Sequence, residues 1–162
     1  MENVNNLPMS VGYSTEALEK QAEEIAKSKD YVAQWNGEND SVIGKDWTSY
    51  NLQDEKVKRE LLGKITGETT KLQNVAGEVI SVEGIYLENV VLNDMQTGEQ
   101  KVMPRILLIT KDKTYSSCGV TAFNALSKIL KYMGLPTKEN PLKLKVRYQN
   151  NNGKNFYSFQ VV

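Results

Sequence analysis

Over residues 72–162 apolar residues recur at every second position, in stretches broken by turn-forming residues, which is the period of half-buried strands. The first stretch runs over 75–93 and is long enough that Gly84 is a natural place for a bend or bulge. A hairpin loop over 94–99 leads to a second strand over 101–111 with an apolar centre on both faces, and the Asp112-Lys113 turn leads to a third over 114–118. The period then changes. Ala122, Phe123, Leu126, Ile129, Leu130 and Met133 follow the i, i+3, i+4, i+7 spacing of an amphipathic helix that Gly134 and Pro136 end. Two closing strands, over 142–149 and 154–162, meet at Asn150-Asn151-Asn152-Gly153, where Asn-Gly supplies the positive φ of a tight hairpin. This order of three strands, a helix and two strands, with a long bent first strand, predicts a mainly β fold: the five-stranded Greek-key barrel of the OB-fold, its helix between strands three and four. An antiparallel sheet under one covering helix is the alternative.

Residues 1–70 read differently. Ser14-Thr15-Glu16 caps a helix expected to run to Ser28, with a narrow apolar stripe of Leu18, Ala22, Ile25 and Ala26 among glutamates. A second helix is expected over 54–65, with Val57, Leu61, Leu62 and Ile65 on one face and Gly67 beyond its end. Between them Trp35 to Tyr50 reads as an irregular loop holding aromatic anchors. The 20 basic and 20 acidic residues cancel, but residues 1–70 hold 8 Lys/Arg against 13 Asp/Glu while 71–162 hold 12 against 7. The chain thus divides into an acidic, mostly helical segment over 1–70 and a basic binding domain over 71–162.

Composition narrows the chemistry. With no His and one Cys in 162 residues, the chain builds no Cys/His zinc site, no His-activated nucleophile and no internal disulfide, and no metal or cofactor is expected. Gly63-Lys64-Ile65-Thr66 lacks the first glycine and the Ser/Thr of a phosphate loop, so it reads as a helix end, and the carboxylates over 71–162 are scattered rather than paired. A non-enzymatic protein is expected. The amino end carries no basic leader and the longest aliphatic run, Ile106 to Ile109, is four residues, which predicts a cytoplasmic protein with no membrane partner.

The fourth strand carries the sharpest functional signal. Alternation by two places Lys143, Lys145 and Arg147 in a row on one face, where they repel one another unless an anion lies across them. In the fifth strand, an inward Tyr157 and Phe159 leave Phe156 outward beside Lys154; the opposite register exposes Tyr157, so one of this pair is expected to stack on bases. Lys101, Arg105 and Lys111 share parity on the second strand, and an inward Cys118 turns Tyr115 outward as a second stacking candidate. Tyr86, past the Gly84 bend, is the third. Interleaved cations and rings are what a groove for single-stranded nucleic acid needs, and in OB-folds the loops here over 94–100 and 150–153 flank it.

Over 72–162 the chain resembles the single-stranded DNA-binding proteins of small tailed phages that infect Gram-positive bacteria and replicate linear genomes. The resemblance rests on Tyr115-Ser116-Ser117-Cys118, Phe123-Asn124-Ala125-Leu126, Leu142-Lys143-Leu144-Lys145-Val146 and Asn155-Phe156-Tyr157-Ser158-Phe159. It implies a protein that coats and protects displaced strands during phage DNA replication in the host cytoplasm, with the same cations and aromatics at the site. Bacterial proteins of this function end in an acidic recruiting tail, whereas this chain ends in Phe159-Gln160-Val161-Val162, so recruitment of replication proteins or self-association is expected of residues 1–70. The alternative is a phage interaction module that inhibits or recruits a host replication protein through Trp35, Trp47 and the acidic helix.

Overall fold

The computed structural model describes residues 31, 42–43, 46–93 and 95–162; the helix expected over 14–28 and Trp35 lie outside them. The elements in chain order are β1 (Val42–Ile43), β2 (Asp46–Thr48), α1 (Glu55–Thr66), β3 (Thr70–Lys71), a 3-10 turn (Leu72–Val75), β4 (Val79–Val82), β5 (Gly84–Asn93), β6 (Gln100–Ile109), β7 (Thr114–Cys118), α2 (Val120–Met133), β8 (Leu142–Asn151) and β9 (Lys154–Val161). Both helices have sequence-encoded ends. The Asp54 carboxylate accepts from the amides of Lys56 and Val57 to start α1, and Gly134, at φ 78, donates its amide to the Leu130 carbonyl to end α2. The β8–β9 hairpin turns through Asn152 and Gly153, both at positive φ, as the Asn-Gly pair predicts.

The strands form two sheets, β1-β2-β5-β6-β7-β3 and β4-β8-β9. The long first strand expected over 75–93 is β4 followed by β5, and it crosses from one sheet to the other at Glu83. Val82 and Ile85, three residues apart, both enter the core, so the alternation of faces slips by one residue at the bend. Gly84 is required there by a close approach: a Cβ would lie 2.0 Å from Cε2 of Tyr50, whose ring covers the bend.

The fold is mainly β, but the expected closed barrel is not formed among the described residues. Closure needs β7 to pair with β9, and the far edge of β7 is already hydrogen-bonded to β3, in parallel, with Thr70 opposite Tyr115 and Lys71 opposite Ser116. Among the described strands β9 pairs only with β8. Part of the acidic segment is built into the same fold, since β2 pairs with β5, β3 with β7, and α1 lies on the six-stranded sheet.

The main core lies between the two sheets and α2. Leu72, Val82, Ile85, Leu87, Ile106, Leu108, Leu144 and Val146 meet Phe123 and Leu126 there, and Tyr31 reaches it, its ring centroid 5.3 Å from that of Phe123 and its amide donating to Asn89 Oδ1 at 3.0 Å. A second cluster sits on the opposite face of the six-stranded sheet, where Val57, Leu61 and Ile65 of α1 and Tyr50 pack on Tyr86, Leu107 and Ile109. The segment read as an irregular loop with aromatic anchors instead supplies β1 and β2. Trp47 is buried at 2% exposure, paired with Leu87 across the β2–β5 ladder, and its ring lies in the main core rather than on an exposed surface. No helix among the described residues is long and apolar enough to cross a membrane.

Candidate nucleic-acid interface

The eleven residues singled out from the sequence fall on separate surfaces. Opposed residues in an antiparallel pair share a face, so the register assigns each one. On β8, Leu142, Leu144 and Val146 are buried, and the alternate residues Lys143, Lys145 and Arg147 are exposed on the outer face of the three-stranded sheet. Phe156 stands opposite Gln149 and Lys154 opposite Asn151, so both join that face by register. Four cations and one half-buried ring are thereby brought together. The other strand positions on the face include Val79 and Ser81 on β4 and Ser158 and Gln160 on β9, and among the described residues none of its strand positions carries a carboxylate side chain. The described ion pairs include none of these four cations. Along β8 the charged side chains recur every two residues, about 7 Å apart.

The six-stranded sheet holds the other candidates in a different state. Tyr86 is buried under α1 and Tyr50, and its hydroxyl donates to the Asp46 carboxylate. Burial pushes its phenol far above the ordinary value, with Asp46 adding to the shift, and burial likewise raises the Asp46 carboxyl, opposed by the Tyr86 hydrogen bond. Tyr86 is therefore a core residue and not a stacking surface. Arg105 faces Glu88 across the β5–β6 ladder and binds it at 2.7 Å, with both side chains partly buried, so its charge is satisfied internally. Lys101 shares that outer face opposite Leu92, and Lys111 lies in the turn beyond the end of β6, where its carbonyl accepts from Lys64 Nζ at 3.0 Å. Neither meets the β8 row.

Tyr115 does not face outward as expected. It pairs with Leu108 and is buried in the main core, whereas Cys118, opposite Arg105, is exposed. The expectation fixed the parity of β7 on an inward cysteine, but a tyrosine ring removes more apolar area from water than a thiol and decides the register.

Tyr157 lies on the inner face as one of the two anticipated registers has it, half-buried, with its hydroxyl donating to Gln73 Oε1 at 3.4 Å and its ring 5.4 Å from Tyr148. Burial and the neighbouring Tyr148 raise its phenol. Tyr148, which is not among the residues singled out from the sequence, shares the parity of Leu142, Leu144 and Val146. It is inward by parity, but it is 44% exposed, because the core ends at the Val146–Phe159 pair and the hairpin continues past it. The length of the 142–149 strand relative to the helix opposite was the available signal. Among the described residues no cluster of three or more His, Cys, Asp or Glu could hold a metal ion. No family model, curated protein or solved structure matches the chain.

Proposed function

We propose that the protein binds single-stranded DNA with little sequence preference and without catalysis, on the outer face of β4, β8 and β9. The observation that carries this reading is the row of Lys143, Lys145 and Arg147, extended by Lys154, on a face where no described strand position carries a carboxylate side chain and Phe156 stands beside it. Three like charges about 7 Å apart cost the unliganded strand repulsion and return no packing. A phosphate backbone laid along them releases counterions at each contact, and Phe156 offers an unpaired base a surface to stack on. Duplex DNA keeps its bases stacked on one another and gains only the charge term.

The pairing pattern supports a finer reading of the fold as an opened OB-type barrel. One bent strand serves both sheets, pairing as β5 with β6 and as β4 with β8, while β6 pairs with β7 and β8 with β9; only the closing pair is replaced, by β3. With the resemblance over 72–162, this extends the proposal to a phage protein that coats displaced strands during replication in the host cytoplasm. Titration with fluorescent oligo-dT against a duplex of equal length, at several salt concentrations, tests it. Tighter binding of the oligo-dT, weakening steeply with salt, is expected; preference for the duplex or a flat salt response would overturn it.

A further inference from the structure

The β8–β9 hairpin has a second aromatic surface, on the face opposite the cations. Val146 and Phe159, the last inward pair in the core, are buried; the next pair outward is Tyr148 and Tyr157, and the one after is Asn150 and Asn155. The two tyrosines are tilted at 53° and held from both ends: Tyr148 donates its hydroxyl to Asn155 Oδ1, which also accepts from Asn150 Nδ2 at 3.0 Å, and Tyr157 reaches Gln73. Rings fixed in this way lose little freedom when something stacks on them. A tyrosine exposed at 44% beyond the end of a core contributes little to the fold that a smaller β-forming residue would not.

The geometry points to Tyr148, with Tyr157, as a second base-stacking platform, occupied by an unpaired nucleobase of the strand whose backbone lies on the outer cations. This rests on the single-stranded DNA reading above. The occupant follows from position. Among the described residues Arg147, adjacent in sequence to Tyr148 and pointing to the opposite face, has its charge unpaired, and β9 has no further strand on its far side. A polynucleotide held by Lys145 and Arg147 can thus turn over the β9 edge near the hairpin tip and place a base on the inner face. A duplex is too wide and too stiff to make that turn, so the platform adds discrimination for single strands as well as affinity.

The test uses the full-length chain and oligo-dT. Tyr148→Thr keeps strand propensity at an exposed site, and a thermal melt checks its fold. It is expected to bind oligo-dT about 10-fold more weakly, within the range of one lost stacking contact, and to leave duplex affinity unchanged. Because Phe156 faces the other way, the loss is expected to multiply with that of Phe156→Ala. Oligo-dT carrying 5-iodouracil is expected to photocross-link to Tyr148 or Tyr157. If the wild type binds and Tyr148→Thr binds equally well, with cross-links confined to Phe156, the platform is overturned while the DNA-binding reading stands. If the wild type does not bind oligo-dT, both fail together.

Discussion

The two sheets of this protein expose outer faces built from similar residues that end in opposite states. On the six-stranded sheet, Tyr86 and Arg105 stand where a ring and a cation might meet a ligand, but α1 and Tyr50 cover the first and Glu88 neutralises the second. On the three-stranded sheet, Lys143, Lys145 and Arg147 have no carboxylate side chain across the ladder on either side, and no helix among the described residues packs over them. Residue type alone does not mark a binding surface; what distinguishes the two faces is whether the chain itself has already supplied the partner. The open face is where unsatisfied charge and an accessible ring coincide.

The comparison breaks most sharply at Gly84. If the covered face owes its state to Tyr50 lying over the bend, Gly84→Ala must displace the ring, since the added carbon would lie 2.0 Å from it. A loss of about 3 kcal/mol is expected, combining overpacking with lost burial against Leu61, Tyr86 and Leu107. Thermal denaturation measures it, and an unchanged melting temperature would show that the cover is dispensable.

Tyr50→Phe sharpens the same contrast with a smaller effect of opposite sign. The Tyr50 hydroxyl is buried with no hydrogen-bond partner among the described residues, so removing it is expected to stabilise the fold by about 1 kcal/mol. Burial, with Glu60 and Glu83 nearby, pushes this phenol up to about 12. A phenol raised in the folded state contributes stability that is complete below the unfolded value near 10 and is lost as pH climbs through the folded one. Alkaline unfolding of the wild type is therefore expected above pH 10, and in Tyr50→Phe it should shift upward in part, with Tyr86 retaining its own share. Equal midpoints in the two proteins would contradict the assignment.

Much of the fold was legible in local pattern. The spacing from Ala122 to Met133 became α2, the pattern over 54–65 became α1, and the alternation over 142–149 gave the exposed cations of β8. These readings depend on residues a few positions apart on one element. What escaped depends on partners far along the chain. That β3 would take the edge of β7 and leave the barrel open, or that Tyr50 would cover Gly84 and bury Tyr86, is set by contacts tens of residues apart and leaves no periodic trace. Tyr115 and Cys118 show a local ambiguity: β7 has two candidate anchors of opposite parity, and burial of the larger ring, not of the thiol, decides its register. Tyr148 shows another: alternation gives the face a residue is on, but not whether the core still extends that far.

The most direct measurement is the slope of log affinity for oligo-dT against log salt concentration in the wild type, in the triple variant Lys143→Ala, Lys145→Ala, Arg147→Ala, and in Arg105→Ala. Each single-strand phosphate contact contributes about 0.7 to that slope, so the triple variant should lose about 2 and bind roughly 100-fold more weakly at 0.1 M salt, while Arg105→Ala keeps the wild-type slope. A triple variant with the wild-type slope, or an Arg105→Ala variant that loses as much, would contradict the assignment of DNA binding to the open face.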